Sequence, residues 1–255
     1  MASPLSGPGV FWISSNTNDE TIFAYDDFVR WYEDVHISDM INADPEHPLP
    51  VARRYQALSP TERPFLVVYR MTDLAIVAGE AFRKVPLHHE TLPGGGPIAQ
   101  YAHFRGRFAG FVKAWGSPGK EGTLLISEVT EAMDELRYEE YMASVQSLPG
   151  WLRSSQYTII MENDIGRDKP PPSGPPTAGV PPAQTRWLTL HEFDGTQTVD
   201  SLAMDRVAAR STTVPLGSAG INAENQSKVE VQTYRLVRTY GNGALMFADT
   251  EAESK

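Results

Sequence analysis

The chain carries an internal repeat, and this repeat constrains its fold more than any other feature of the sequence. The segment FVRWYEDVH at 28–36 aligns with YEEYMASVQ at 138–146, and FLVVYRMTD at 65–73 aligns with WLTLHEFDG at 187–195. In the first alignment apolar residues coincide at three positions, pairing Phe28 with Tyr138, Trp31 with Tyr141 and Val35 with Val145. We therefore expect the chain to fold twice in the same way.

Both copies are predicted to contain the same succession of secondary-structure elements. Apolar residues that alternate, or that recur at helical spacing, give the order βαββαβ in each copy. The predicted strands cover 10–14, 51–58, 65–70 and 99–112 in the first copy, and 123–129, 154–161, 187–193 and 229–239 in the second. The predicted helices cover 25–40, 73–84, 134–146 and 197–210.

A βαββαβ unit of the ferredoxin-like type has helices on one face of its sheet and leaves the other, apolar face bare. A bare apolar face must be buried, and two units in one chain can bury these faces against each other. We therefore predict an α+β fold in which two tandem ferredoxin-like repeats, at 9–117 and 122–241, form one barrel with pseudo-two-fold symmetry. The proline-rich stretch 163–185 is predicted to be an extended or disordered surface loop inside the second repeat.

The charge balance and the absence of cysteine exclude several classes of function. The formal net charge is −10 and no Lys/Arg run could follow a phosphate backbone, so we expect no binding to nucleic acid or to an anionic membrane. The lack of cysteine excludes disulfides, thiolate nucleophiles and thiolate metal sites. The chain has no signal-peptide pattern and no apolar run of membrane-spanning length, which predicts a soluble, cytoplasmic protein.

The first predicted helix places a histidine on its apolar side. Phe28, Tyr32 and Val35 follow the spacing of one helical face, and His36 comes four residues after Tyr32. Histidine titrates near neutrality, so in an aromatic pocket it can act as a general acid or base. The alternative is a core histidine that is hydrogen-bonded to a backbone carbonyl. In the second copy Gln146 stands at the aligned position, so packing of this helix does not by itself require histidine.

Four stretches of the first copy together resemble one protein family. The pattern F-x-x-W-Y-x-x-x-H in FVRWYEDVH resembles the EthD-like group of dimeric α+β barrel proteins. Within residues 9–115, a fungal branch of that group is similar to GVFWISSN, WYEDVHISDMI, RPFLVVYRMTDLA and VPLHHETLPGGGPIAQYAHF. The second copy resembles the group only as a diverged repeat.

The resemblance implies a cofactor-free barrel that holds an aromatic or polyketide-derived compound between its sheet and its helices. Some relatives catalyse decarboxylation, cyclisation, dehydration or isomerisation, and their two functional histidines correspond to His36 and His88. The chain departs from the family pattern at three positions. Ser38 stands where proline is usual, His103 where aspartate is usual, and Gln146 replaces the second-copy histidine. These departures leave at most one histidine-bearing pocket.

The remaining candidate residues are aromatic or basic side chains that could contact a small phenolic ligand. Tyrosine and tryptophan combine an apolar body with a polar tip, and arginine can hold a carboxylate. The candidate substrate-binding residues are Trp12, Trp31, Tyr32, Arg53, Tyr55, Tyr69, Tyr101 and His103. His88, His89 and Glu90 are adjacent in a loop and lack the spacing of converging metal ligands, so no metal site is predicted.

The leading hypothesis is a cofactor-independent enzyme of secondary metabolism that acts by proton transfer on an aromatic or polyketide-derived molecule. Its reaction would be a decarboxylation, a dehydration or a cyclisation, with His36 as general acid or base. The first alternative is a non-catalytic binding or stress-related barrel in which His36 is structural. A second alternative is an interaction subunit that uses a sheet edge or the proline-rich loop. The chain is predicted to be a monomer or a homodimer under each of these hypotheses.

Overall fold

Eight antiparallel strands close into one barrel. The computed structural model describes residues 5–116, 122–131, 135–166, 185–195, 230–243 and 246. The order around the barrel is β1-β3-β2-β8-β5-β7-β6-β4. The strands are β1 Gly9–Thr17, β2 Val51–Ala57, β3 Phe65–Met71, β4 Ala102–Gly116, β5 Leu124–Glu131, β6 Trp151–Ile165, β7 Arg186–Phe193 and β8 Glu230–Gly241. The prediction that one chain forms a closed barrel is confirmed.

The two halves of the barrel have the same strand order. The first half runs β4-β1-β3-β2 and the second runs β8-β5-β7-β6, so each follows the order 4-1-3-2 when its own strands are counted. The halves are joined where β2 pairs with β8 and where β4 pairs with β6. The complete ferredoxin-like content of each repeat stays a prediction. The helix predicted at 197–210, the prolines of the 163–185 stretch and the tail after Met246 all lie outside the described residues.

The first helix covers the predicted residues but is not a regular α-helix. It consists of α1 Tyr25–Trp31, a π-helical turn at Tyr32–His36, and α2 Ile37–Ile41. In the π-helical turn the backbone N–H of Ile37 donates to the Tyr32 carbonyl, five residues earlier. Each residue within such a turn is rotated less than in an α-helix, and periodicity at 3.6 residues does not predict this.

The single helix predicted at 73–84 is wrong, because the chain is extended at Gly79. A 3₁₀ turn at Leu74–Ala78 comes before it, and α3, Glu80–Arg83, follows. Of the residues predicted to face inward, Leu74 and Val77 are buried while Ala78 is exposed. The predicted helix of the second copy is present as α4 Glu135–Gln146, and its four predicted inward residues are buried: Tyr138, Tyr141, Met142 and Val145.

Strand alternation divides the buried side chains into an inner and an outer set. On β1, Val10 and Trp12 point into the barrel while Phe11 and Ile13 point outward beneath the helices. The barrel interior contains mainly aliphatic and tyrosine side chains, among them Val51, Tyr55, Leu66, Val68, Tyr157, Leu188 and Tyr234. The outer layer of the first half packs against the first helix, and that of the second half packs against α4.

Ion pairs accompany the apolar residues of the barrel interior. The guanidinium of Arg53 donates to Glu192 at 2.8 Å, and both side chains are almost fully buried. Burial raises the pKa of Glu192 to about 7, although the nearby Arg53 opposes this shift. Elsewhere in the interior Arg107 donates to Glu162 at 3.1 Å and to Glu230 at 2.6 Å. The interior arginines therefore already have carboxylate partners within the chain.

Phe28 tests how far the first helix depends on the outer layer. It is fully buried, and its ring contacts those of Phe23, Tyr32, Phe65 and Phe104. Phe28→Ala should lower the free energy of unfolding by about 3–5 kcal/mol, because it leaves a cavity among these rings. Urea unfolding measures this loss.

Leu136→Ala is the control for that measurement, since Leu136 on α4 is 72% exposed. It should change the free energy of unfolding by less than about 0.5 kcal/mol. A loss below about 1 kcal/mol for Phe28→Ala would contradict the described packing.

Candidate functional site

The π-helical turn places His36 against Trp31. In a regular α-helix residues five apart are separated by roughly 140° around the axis, so their side chains do not meet. Here the wider turn brings them to one face, and the two rings stack with centroids 4.9 Å apart and planes 17° apart. The ring of Tyr32 meets His36 edge-on at 5.1 Å. Of the aromatic residues predicted near His36, Trp31 makes the stacked contact and Tyr32 the edge-on contact.

The imidazole of His36 is buried and electrically neutral at pH 7. The residue is 9% exposed, and its ring N–H donates to the backbone carbonyl of Pro86. Burial lowers the pKa of His36 to about 4, with the Pro86 hydrogen bond acting in the opposite direction. Nδ1 has no hydrogen-bond partner within the described part of the chain. We therefore assign the proton of the neutral ring to Nε2, which leaves on Nδ1 a lone pair that can accept a proton or a hydrogen bond.

Two tyrosine hydroxyls lie in the same layer. Tyr32 and Tyr69 are fully buried, and burial raises the pKa of each. The Tyr32 hydroxyl is close enough to Tyr69 to raise the pKa of Tyr69 further. Both groups are thus neutral at physiological pH and can donate a hydrogen bond. Phe28, Phe65 and Phe104 surround them with apolar surface.

The predicted substrate-binding residues fall into three places and do not form one pocket. Four of them lie with the first helix in the outer layer: Trp31, Tyr32, Tyr69 and Tyr101. Three lie in the barrel interior: Trp12, Arg53 and Tyr55. The eighth, His103, is half-buried, with Nδ1 3.0 Å from the side-chain oxygen of Asn18. The β-sheet therefore separates the interior residues from His36.

The second predicted histidine, His88, is exposed. Its backbone forms an isolated bridge with Pro97. The loop after α3 returns to the first helix, but the contact with His36 is made by the carbonyl of Pro86. Participation of His88 in the chemistry of His36 stays a prediction.

A buried histidine in the second half was not predicted. The ring of His191 is fully buried beneath α4, with Nδ1 2.7 Å from the Ser154 hydroxyl and Nε2 3.1 Å from the Tyr141 hydroxyl. The Trp151 indole N–H donates to the same serine at 2.9 Å. Because its ring nitrogens both have partners, His191 is part of a polar network that joins α4 to the sheet. The repeat alignment contained the signal, since it pairs Tyr69 with His191.

A cleft of about 600 Å³ lies between α3 and the end of the first helix, a few residues after His36 in the chain. Pro86, whose carbonyl accepts the His36 hydrogen bond, forms part of its wall. The lining residues are Asp39, Asn42, Ala43, Glu80, Ala81, Lys84, Val85 and Pro86. The volume is within the range of small-molecule sites, which are roughly 300–1,000 Å³.

The described ranges contain neither a cluster of metal ligands nor a membrane-spanning helix. No group of three or more histidine, aspartate or glutamate side chains there is arranged to hold a metal ion. None of the helices in those ranges has the length and apolar character needed to cross a membrane.

Comparisons with known proteins give likeness of structure at very low sequence identity. No family profile and no curated protein matches the chain. An anthrone oxidase-like protein is 11% identical, with 91% of this chain and 92% of that chain covered and a TM-score of 0.45. A chlorite dismutase-like protein is 12% identical, with 95% and 100% covered and a TM-score of 0.45. A heme-degrading enzyme from Listeria monocytogenes is 9% identical, with 89% and 98% covered and a TM-score of 0.35.

The buried His36 makes stability depend on pH in a defined direction. Its pKa is about 4 in the folded chain and 6.5 in an unfolded one, so the unfolded chain takes up the proton first as pH falls. The stability that neutral His36 contributes is complete above pH 6.5 and is lost progressively down to about pH 4. The loss amounts to about 3 kcal/mol.

Urea unfolding of wild type, His36→Gln and the exposed-site control His47→Gln measures this dependence. Between about pH 7.5 and about pH 4.5 the wild type should lose about 2–3 kcal/mol more than His36→Gln, while His47→Gln should follow the wild type. Parallel pH curves for wild type and His36→Gln would contradict a buried, neutral histidine.

Proposed function

We propose that the chain binds a small aromatic or polyketide-derived molecule beside the first helix and removes a proton from it, with His36 as the base. The observation that carries this proposal is the neutral imidazole of His36, which is stacked on Trp31 and has a lone pair on Nδ1 without a partner in the described residues. A group held in this way is ready to accept a proton. No side chain in the described ranges forms a hydrogen bond with Nδ1 of His36.

The protonation state of His36 favours some of the predicted reactions over others. With a pKa of about 4, His36 rests as the neutral imidazole at pH 7, which is the form that can act as a base and has no proton to give from Nδ1. Dehydration can begin with removal of a proton from carbon by a base, and the protonated imidazole can then give that proton to the departing hydroxyl, which leaves as water. Ring closure can begin with the same proton removal. Decarboxylation ends with delivery of a proton to carbon, which requires an acid. We therefore favour dehydration or cyclisation.

The tyrosines of the outer layer supply the complementary group. Removal of a proton next to a carbonyl places negative charge on its oxygen, and hydrogen-bond donors aimed at that oxygen stabilise the charge. The neutral hydroxyls of Tyr32 and Tyr69, which lie in the same buried layer as His36 and close to each other, are the proposed donors. Neither the base nor the donor requires a cofactor, so the proposed reaction is cofactor-independent.

We also propose a family, a repeat structure and an oligomeric state for the chain. The quoted motifs support membership of the EthD-like barrels and a role in fungal secondary metabolism. The common strand order of the halves supports two ferredoxin-like repeats. A single-chain barrel already contains both sheets, so the proposed protein functions as a monomer or as a homodimer in the cytoplasm.

One observation favours a non-catalytic binding barrel as the second candidate function. His36 is only 9% exposed, and one of its ring nitrogens is already bonded to Pro86. A histidine that only packs the helix against this loop would have the same geometry. In that case the chain would hold its ligand unchanged, and the compound would be recovered intact after long incubation.

The direct test is turnover by wild type and His36→Gln on a panel of phenols, naphthols and anthraquinones. Glutamine can still donate to the Pro86 carbonyl but cannot act as a base. Turnover by His36→Gln should fall about a hundredfold or more, since this is the usual contribution of a general base. His47→Gln, which changes an exposed histidine outside the site, should retain full turnover.

Two results would overturn the catalytic assignment. One is a loss of only a few-fold in a His36→Gln protein whose thermal unfolding is cooperative. The other is a ligand that raises the unfolding temperature of wild type and is never converted.

A further inference from the structure

The cleft between α3 and the end of the first helix has an unbalanced negative charge. Glu80 and Lys84 are four residues apart and form an ion pair at 2.7 Å, so their charges offset each other. Asp39 is half-buried and has no ion-pair partner among the residues that the structure describes. A ligand in the cleft therefore meets a carboxylate whose charge is not compensated by its surroundings.

The end of the first helix adds to this negative potential. The helix ends at Ile41, and Asn42 at its C-cap lines the cleft. Backbone carbonyls without intrahelical partners give a helix C-terminus a partial negative charge, which favours cations and hydrogen-bond donors. The side-chain amide of Asn42 donates to the Ser38 carbonyl, and the backbone N–H of Leu49 donates to the Ile41 carbonyl, so the potential at this end is only partly offset.

Asp39 and Pro86 relate the cleft to His36. Asp39 lies three residues after His36, so the two residues share one side of the helix. Asp39 and Ala43 line the cleft, and Pro86 closes it on the side where its carbonyl holds the His36 ring. Ala43, Ala81 and Val85 make the remaining wall small and apolar.

We propose that this cleft is the ligand site beside His36 and that Asp39 selects an aromatic compound carrying a hydroxyl or ammonium group over one carrying a carboxylate. The inference rests on the proposed function for the position of the ligand, but the selectivity follows from the cleft itself. The interior arginines do not provide an alternative carboxylate site, because Arg53 and Arg107 pair with glutamates inside the barrel. A decarboxylation substrate is thereby disfavoured.

Binding of three probes that share a naphthalene ring tests the selectivity. The probes carry a hydroxymethyl, an aminomethyl or a carboxylate group at the same ring position, and isothermal titration measures their Kd. Wild type should bind the carboxylate at least about fivefold more weakly than the other two, because Asp39 repels it at a partly screened site. In Asp39→Asn, which keeps the shape of the side chain, this gap should close.

Two further variants complete the experiment. Asp27→Asn removes an exposed carboxylate from α1, outside the cleft, and should leave the wild-type preference unchanged. Ala81→Trp fills the cleft without changing its charge and should weaken binding of all the preferred probes by about tenfold or more. Binding of the probes should also shift the imidazole NMR signals of His36 in wild type.

The proposal is overturned if wild type binds none of the three probes, if it prefers the carboxylate, or if Asp39→Asn keeps the wild-type preference. Unchanged binding by Ala81→Trp would equally place the ligand elsewhere. These results are distinct from failure of the proposed function, because selective binding that depends on Asp39 can persist while His36→Gln retains full turnover. In that outcome the cleft is a binding site and His36 is not its base.

Discussion

Closure of the barrel is the constraint on which the rest of the structure depends. Each half of the chain presents an apolar sheet face, and the two faces bury each other when β2 meets β8 and β4 meets β6. The outer faces then require cover, which the first helix and α4 provide. His36 lies in the layer between the first helix and the sheet. Its burial therefore depends on closure of the barrel, which positions that sheet. The hydrophobic pattern that closes the barrel also determines which groups can reach solvent.

Much of the fold could be predicted because the relevant signals are local and periodic. Alternating apolar residues gave the eight strands, and the apolar face of α4 was identified by its spacing alone. The break at Gly79 was missed because an apolar helical pattern continues across it, while Asp73 caps only a short 3₁₀ turn. The π-helical turn was missed for a related reason. It contains a hydrogen bond between residues five apart, and no residue type in the segment predicts that bond.

The site could be predicted only in part. The helical spacing placed His36 among aromatic residues, and the structure adds that its stacked partner is Trp31. Which face of a strand enters the barrel could not be read from alternation, so Trp12 and Tyr55 were grouped with residues that lie across the sheet from them. The cleft was not foreseeable, because it is formed by the end of one helix and a loop far away in sequence. His191 could have been predicted, because the repeat alignment pairs it with Tyr69 on a buried strand.

The measurement that tests the central claim most directly is an NMR titration of the His36 imidazole nitrogens, assigned by comparison with His36→Gln. The account predicts a neutral ring at pH 7 with its proton on Nε2, and protonation only as the pH approaches about 4. This result would establish a buried imidazole with a free lone pair on Nδ1, held by the carbonyl of Pro86. A ring that titrates near 6.5, or whose neutral form carries its proton on Nδ1, would contradict the account and remove the basis for His36 as the base.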